Sequence, residues 1–346
     1  MRKTHLTVVL LLMIPVFLVS CETIHYYGQA AKGQMSLLMG REQIASLLQA
    51  SDLDEETRRK LQLVLDVREF AARELLLSAG DSYLSYTPLQ QPYVLWNVFA
   101  APEFSTEPVQ WCYPIAGCVS YRGYFREEAA QRYVASLSAQ GLDVYSGGVD
   151  AYSTLGWFND PLTSAVLRRP DHRLVALLFH ELAHQRVYLP GDTMFNESFA
   201  TFVEQEGLRR WLQEHPQGGM DEQIVQENRM QEAFVALVSR HRDSLGMLYA
   251  QPLSEDGKRA GKLAIQETLR EDYARLRAEW NYTGYDRWFA GPLNNAQLAT
   301  VASYNALVPF FADLLAQAQG DLARFYTQVE AFTLLPAAER EARLPR

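Results

Sequence analysis

Between residues 26 and 78 apolar side chains recur at three- and four-residue steps. Leu47, Leu48, Leu61, Val64, Leu65, Phe70 and Leu75 sit among Glu, Arg and Gln. That period places one apolar stripe on a helix and turns it toward a core. Ser51-Asp52 followed by Glu55 predicts a helix start between two such helices. From 81 to 161 the pattern changes. Tyr, Trp, Val and Phe alternate with Pro and Gly, as in Tyr93-Val94-Leu95-Trp96-Asn97-Val98-Phe99 and Cys118-Val119-Ser120-Tyr121. Short strands and turns are expected there, with one helix around 127–139. Helix formers dominate again from Asp171 to the end, and the polar stretch 251–262 reads as a surface connection or weak helix. No internal repeat is visible. The order predicts an α+β fold, predominantly helical, with a small sheet region ahead of the helix that begins near 171. Residues 21–346 form one domain on this reading: 21–80 helical, 81–170 the sheet region, 171–346 helical.

The first twenty residues stand apart. Arg2 and Lys3 precede an apolar run from Leu6 to Val19, about fourteen residues long. That is short for a membrane span and has the layout of a secretory signal. The run ends in Leu18-Val19-Ser20-Cys21, which resembles the lipobox of bacterial lipoproteins. The resemblance implies cleavage before Cys21, lipidation of that residue, and a membrane anchor in the bacterial envelope. Glu22 after the cysteine favours the outer membrane, facing the periplasm. Removal of residues 1–20 takes away two cations and no acids, so the charge passes from −9 to −9 − 2 = −11. The acidic balance, with no Lys/Arg block, disfavours a nucleic-acid partner. Charged residues make up 21% of the chain and 48% is hydrophobic, which excludes global disorder. Cys112 and Cys118, six apart across a Pro-containing turn, are expected to form a disulfide in an oxidising compartment.

The chemistry concentrates in two adjacent segments. His180-Glu181-Leu182-Ala183-His184 is an H-E-x-x-H pattern inside a stretch that Pro170-Asp171 can start and Pro190-Gly191 can stop. On a helix His180 and His184 lie one turn apart on one face, so two imidazoles reach one ion. Glu181 leaves the helix at another angle and can take a proton from a zinc-activated water. A catalytic zinc needs a third protein ligand and an open position. Glu197, thirteen residues after His184, falls in the first turn of a helix that Asp192 or Thr193 can cap, with Phe195, Phe199 and Phe202 as its apolar stripe. Glu204, two turns further on the same face, is a competing ligand or an acceptor for a histidine N–H.

The segment Phe195-Asn196-Glu197-Ser198-Phe199-Ala200 resembles the N-E-x-F-A segment of gluzincin peptidases. There the Glu is the third zinc ligand and the Glu of H-E-x-x-H is the general base, roles that the resemblance assigns to Glu197 and Glu181. The mature chain also resembles a bacterial family of lipoproteins described as predicted zinc aminopeptidases. The match includes 117–125, 151–161, both zinc segments and Asn294-Asn295-Ala296. It implies one Zn2+, a peptide substrate and a gluzincin-like core. Such sites lay substrate along an edge strand, for which the segment with Tyr152 and Gly156 is the candidate. Tyr304 is the first choice for an oxyanion donor and Tyr152 the second. Glu204 or Asp160 is the candidate anchor for a substrate amino group. Asn294 and Asn295 read as a turn and helix cap, and His25, His172, His215 and His241 as surface or core residues. An endopeptidase, or a non-enzymatic zinc-binding lipoprotein acting as a partner platform, is the competing class.

Overall fold

The computed structural model describes residues 21–113, 117–154, 158–216 and 220–344. Helix α1 (Cys21–Met39) is followed by a two-residue strand β1 (Glu42–Gln43), the short α2 (Ile44–Leu47) and the long α3 (Glu55–Glu74). The start of α3 differs slightly from the expected one. Its cap is Asp54, whose carboxylate accepts the Thr57 N–H at 2.9 Å, while Ser51 and Asp52 lie in the turn before it.

Strand β2 (Ser85–Thr87) pairs with β1 and, in parallel, with β8 (Leu162–Thr163). The larger sheet is built on β3 (Leu95–Ala101), which runs antiparallel to β6 (Arg122–Tyr124) on one side and β7 (Asp143–Val149) on the other. Between them in sequence, β4 (Trp111–Tyr113) and β5 (Gly117–Val119) form a separate hairpin in which Cys112 and Cys118 are register partners and are disulfide-bonded. Alternation along β3 sorts its side chains between two faces. Trp96, Val98 and Ala100 pack with Ala129, Ala130 and Leu137 of α4 (Glu127–Ser138), so Leu95, Asn97 and Phe99 face the other way.

After the short α5 (Ser164–Leu167) come α6 (Asp171–Arg186), α7 (Thr193–Glu214), α8 (Met220–Tyr249) and α9 (Glu255–Trp280). In the stretch read as a connection or weak helix, 251–254 form the connection and 255–262 the firm start of α9. Ser254 caps it through Gly257 N–H, Arg259 pairs with Glu103, and Lys262 reaches Asp143 at 2.6 Å. The chain ends with α10 (Asp286–Phe289), α11 (Asn295–Asn305), α12 (Val308–Gln317), α13 (Leu322–Thr333) and α14 (Ala337–Arg343). Asn294 caps α11 by accepting the Gln297 N–H, as expected, whereas buried Asn295 ties α11 to the carbonyls of Pro102 and Glu103. The span Asn295–Gln317 has the length and mean hydropathy, 1.4, of a membrane crossing. It is nevertheless two helices broken at 306–307, and its Leu307, Phe311 and Leu315 belong to the main core.

That core joins α3, α6, α7, α12 and α13 around Phe70, Phe179, Phe195, Phe199, Phe311 and Phe325. Each such ring contributes roughly 1.5–3 kcal/mol on burial. Tertiary packing therefore dominates over propensity in α6, nearly all of whose residues from Leu174 to His184 are buried. The result is a predominantly helical α+β fold.

Candidate metal centre

His180 and His184 project from one face of α6 with ring centroids 4.9 Å apart. Glu197, from the first turn of α7, meets both. Its Oε2 lies 3.4 Å from His180 Nε2 and 3.6 Å from His184 Nε2. Those separations exceed the 2.7–3.2 Å of ordinary N–H···O bonds. They match the spacing of donors around a tetrahedral ion, since bonds of about 2.0–2.2 Å at tetrahedral angles hold ligand atoms about 3.3–3.6 Å apart. All three residues are buried and their donor atoms lie within 4.8 Å of one another, so the triad can hold one metal ion.

Local sequence explains why the two helices return on each other. Val187 leaves α6 in extended conformation, Gly191 adopts φ +87°, and Asp192 caps α7 by accepting the Phe195 N–H at 2.9 Å. Asn196, 2% exposed, closes the turn. Its Oδ1 accepts the Leu189 N–H at 2.7 Å and its Nδ2 donates to the Leu189 carbonyl at 2.8 Å. The residue before Glu197 thus fixes the distance from the histidine helix. Gly207 lets α7 approach α6 closely, because a Cβ there would stand 2.7 Å from Phe179. The β4–β5 hairpin braces the turn from outside. Gly117, at φ +74°, lies against Gly191 so closely that a Cβ would come within 2.4 Å of its nitrogen.

Charge follows geometry. Glu204 Oε2 lies 3.0 Å from His180 Nδ1, so the ring donates its N–H there and turns Nε2 toward Glu197. Burial opposes a charge on His180, but the Glu197 and Glu204 carboxylates beside it win and raise its pKa. Burial likewise opposes ionisation of Glu197, and the two histidines overcome it. Glu181 goes the other way: burial raises its pKa, only partly offset by His180 and His184. His184 Nδ1 is buried with no partner among the described residues.

Glu181, the triad and Tyr304 line one cavity of about 300 Å³. Tyr304 stacks near His180, with centroids 6.0 Å apart and planes at 21°. Its helix is tied to α7 by Ser198, whose hydroxyl donates to the Ser303 carbonyl and accepts the Leu307 N–H. Burial, then the Glu197 carboxylate, pushes the Tyr304 hydroxyl well above its ordinary range. Tyr152 also lines the cavity, but it does not sit in a strand as expected. The strand β7 ends at Val149. Beyond it Asp160 accepts the Thr154 N–H at 2.9 Å and its hydroxyl at 2.7 Å. Gly156 lies outside the described residues. Asp160 and Glu204, the candidate amine anchors, are not among the cavity lining. The remaining histidines lie elsewhere: His172 on Glu227, His215 stacked on Trp211 and His241 on the Leu237 carbonyl.

Sequence reasoning passed over Tyr121, Tyr188 and Asn97, which line the same cavity. Asn97 arrives through sheet register, Tyr121 through the link between β5 and β6, and Tyr188 through the loop after α6. The only sequence signal was that Tyr121 falls in the segment 117–125.

The fold and site define a helix-rich α+β protein with a buried His-His-Glu triad beside a second buried glutamate, Glu181. The family model described as "Putative aminopeptidase" matches residues 25–344, and the chain belongs to this family. The comparisons with curated proteins and with solved structures gave no match.

Proposed function

We propose that this protein is a zinc-dependent peptidase, an aminopeptidase in the first instance, held in the bacterial envelope by a lipid on Cys21. The observation that carries the reading is the pairing of a three-donor site, His180, His184 and Glu197, with the uncommitted buried carboxylate of Glu181 in one cavity. Three N/O donors suit a catalytic zinc, which keeps a position open, better than a closed structural one. When bound, zinc supplies Lewis-acid activation of a water molecule and of the scissile carbonyl. Glu181 removes the proton of the attacking water and delivers it to the leaving amine. Its raised pKa makes it a stronger base than a solvated Glu. Tyr304 stays protonated across the neutral range and can donate to the developing oxyanion. Glu204 orients His180 through its N–H.

Anchoring draws on the lipobox-like junction and on α1, which starts at Cys21. Ile24, Tyr27, Met35 and Met39 are exposed along one face of α1, opposite Tyr26, Ala30 and Leu37. An apolar outer face beside a lipidated end suits a bilayer surface.

Cleavage within a chain is a second reading, favoured by one observation. Among the described residues, the cavity lining holds no carboxylate besides Glu181 and Glu197 to pair with a free amino group. A peptide library offered with free and with acetylated N-termini separates the two. Aminopeptidase action gives cleavage of free termini alone, lost on chelation and restored by zinc. Cleavage of neither set by the zinc-loaded protein refutes hydrolysis.

A further inference from the structure

Asn97 is the one polar side chain that β3 turns toward the catalytic cavity, between Leu95 and Phe99. Its register partners are Gly123 on β6 and Gly147 on β7, so no neighbouring side chain flanks it in the sheet. A Cβ on Gly123 would stand 3.2 Å from Asn97 Oδ1. Asn97 is 7% exposed, and its Oδ1 is buried with no hydrogen-bond partner among the described residues. A buried acceptor left unmatched destabilises the fold that holds it. Asn is also a poor strand former, so neither stability nor propensity accounts for it in the centre of a sheet. The surrounding lining is apolar or aromatic, from Leu95, Phe125, Val149 and Tyr152.

We infer that Asn97 is a substrate subsite whose carboxamide oxygen accepts an N–H from the peptide main chain, as the peptide lies on the β3–β6 face beside Glu181. The ligand chemistry is a main-chain nitrogen donor, either a free N-terminal amino group or an internal amide. The inference rests on the peptidase reading and adds to it the contact that orients substrate.

Binding separates the two claims. Leu-Ala-Ala amide and its N-acetyl form are titrated into zinc-loaded Glu181→Gln protein, with and without Asn97→Leu, Asn97→Ala or Asn97→Asp added. Asn97→Leu and Asn97→Ala should weaken binding about 3–10-fold for an amide donor and at least about tenfold for an ammonium. A loss confined to the free-amine peptide identifies the N-terminus as the donor, and a loss for both identifies an internal amide. Asn97→Asp, which keeps the acceptor, should retain binding of the free-amine peptide. The melting temperature of the peptide-free Asn97→Leu protein should be unchanged or higher, because the unmatched acceptor is gone. Unchanged affinity in both Asn97→Leu and Asn97→Ala overturns the subsite, as does failure of the parent protein to bind either peptide. A wild-type enzyme that binds these peptides but cleaves nothing refutes the peptidase reading and leaves the subsite standing.

Discussion

Glu181 and Glu197 line one cavity, yet their surroundings push them in opposite directions. Glu197 faces two imidazoles and is held ionised against its burial; Glu181 keeps a raised pKa. A ligand and a base need those two states. Glu181→Gln keeps the size and polarity of the side chain and removes its proton acceptor. Metal content should stay near that of the wild type while peptide turnover falls by about two to four orders of magnitude. The pH dependence has a definite sign. Glu181 must be ionised to act, so kcat/KM should fall as pH drops through the pKa of Glu181. In the metal-free protein His180 is held protonated by Glu197 and Glu204, so zinc must displace a proton and its affinity should weaken as pH falls. Calorimetry in two buffers of different ionisation enthalpy reads that proton release. At this scale the sequence was most informative where chemistry follows helical period: the His180/His184 spacing and the cap before Glu197 needed no tertiary information. Asn97, Tyr121 and Tyr188 were not legible, because their place in the cavity depends on sheet register and a loop path rather than on spacing.

Among the elements, the turn between α6 and α7 sets the metal geometry. Asn196 holds both backbone groups of Leu189, and the hairpin at Gly117 presses on Gly191. Asn196→Ala should destabilise the fold by about 2–3 kcal/mol, since two buried backbone groups lose their partner. Zinc affinity should fall with it, although Asn196 donates nothing to the ion; thermal melts and metal titration check both. The aromatic and β-branched residues of 93–99 announced β3. Residues 151–154 are not a strand, and there Asp160, several residues away, holds Thr154 through its N–H and hydroxyl. Residues 255–262 form a firmer helix than their composition suggests, for a related reason. Its polar residues are partnered by Glu103 and Asp143 from another part of the chain, a pairing that composition does not reveal.

For the whole molecule, the order of helices, sheet region and helices was legible, because periodicity changes sharply near 81 and again near 171. What it could not show is that α1 closes one wall of the catalytic cavity through Tyr26 and Ala30 while starting at the proposed lipid site. Cys21→Ala should abolish lipid labelling in the expressing bacterium; equal incorporation by wild type and variant would remove the anchor from the account. The claim on which everything else depends is that His180, His184 and Glu197 hold a catalytic zinc, with Glu204 outside the ligand set. Zinc titration of purified wild type, Glu197→Ala and Glu204→Ala, with peptide turnover measured on the same samples, tests it directly. The account predicts about one zinc per wild-type chain with zinc-dependent turnover, loss of both in Glu197→Ala, and retained zinc with reduced affinity in Glu204→Ala, about 10–100-fold. Tight zinc in Glu197→Ala together with its loss in Glu204→Ala would contradict that ligand set.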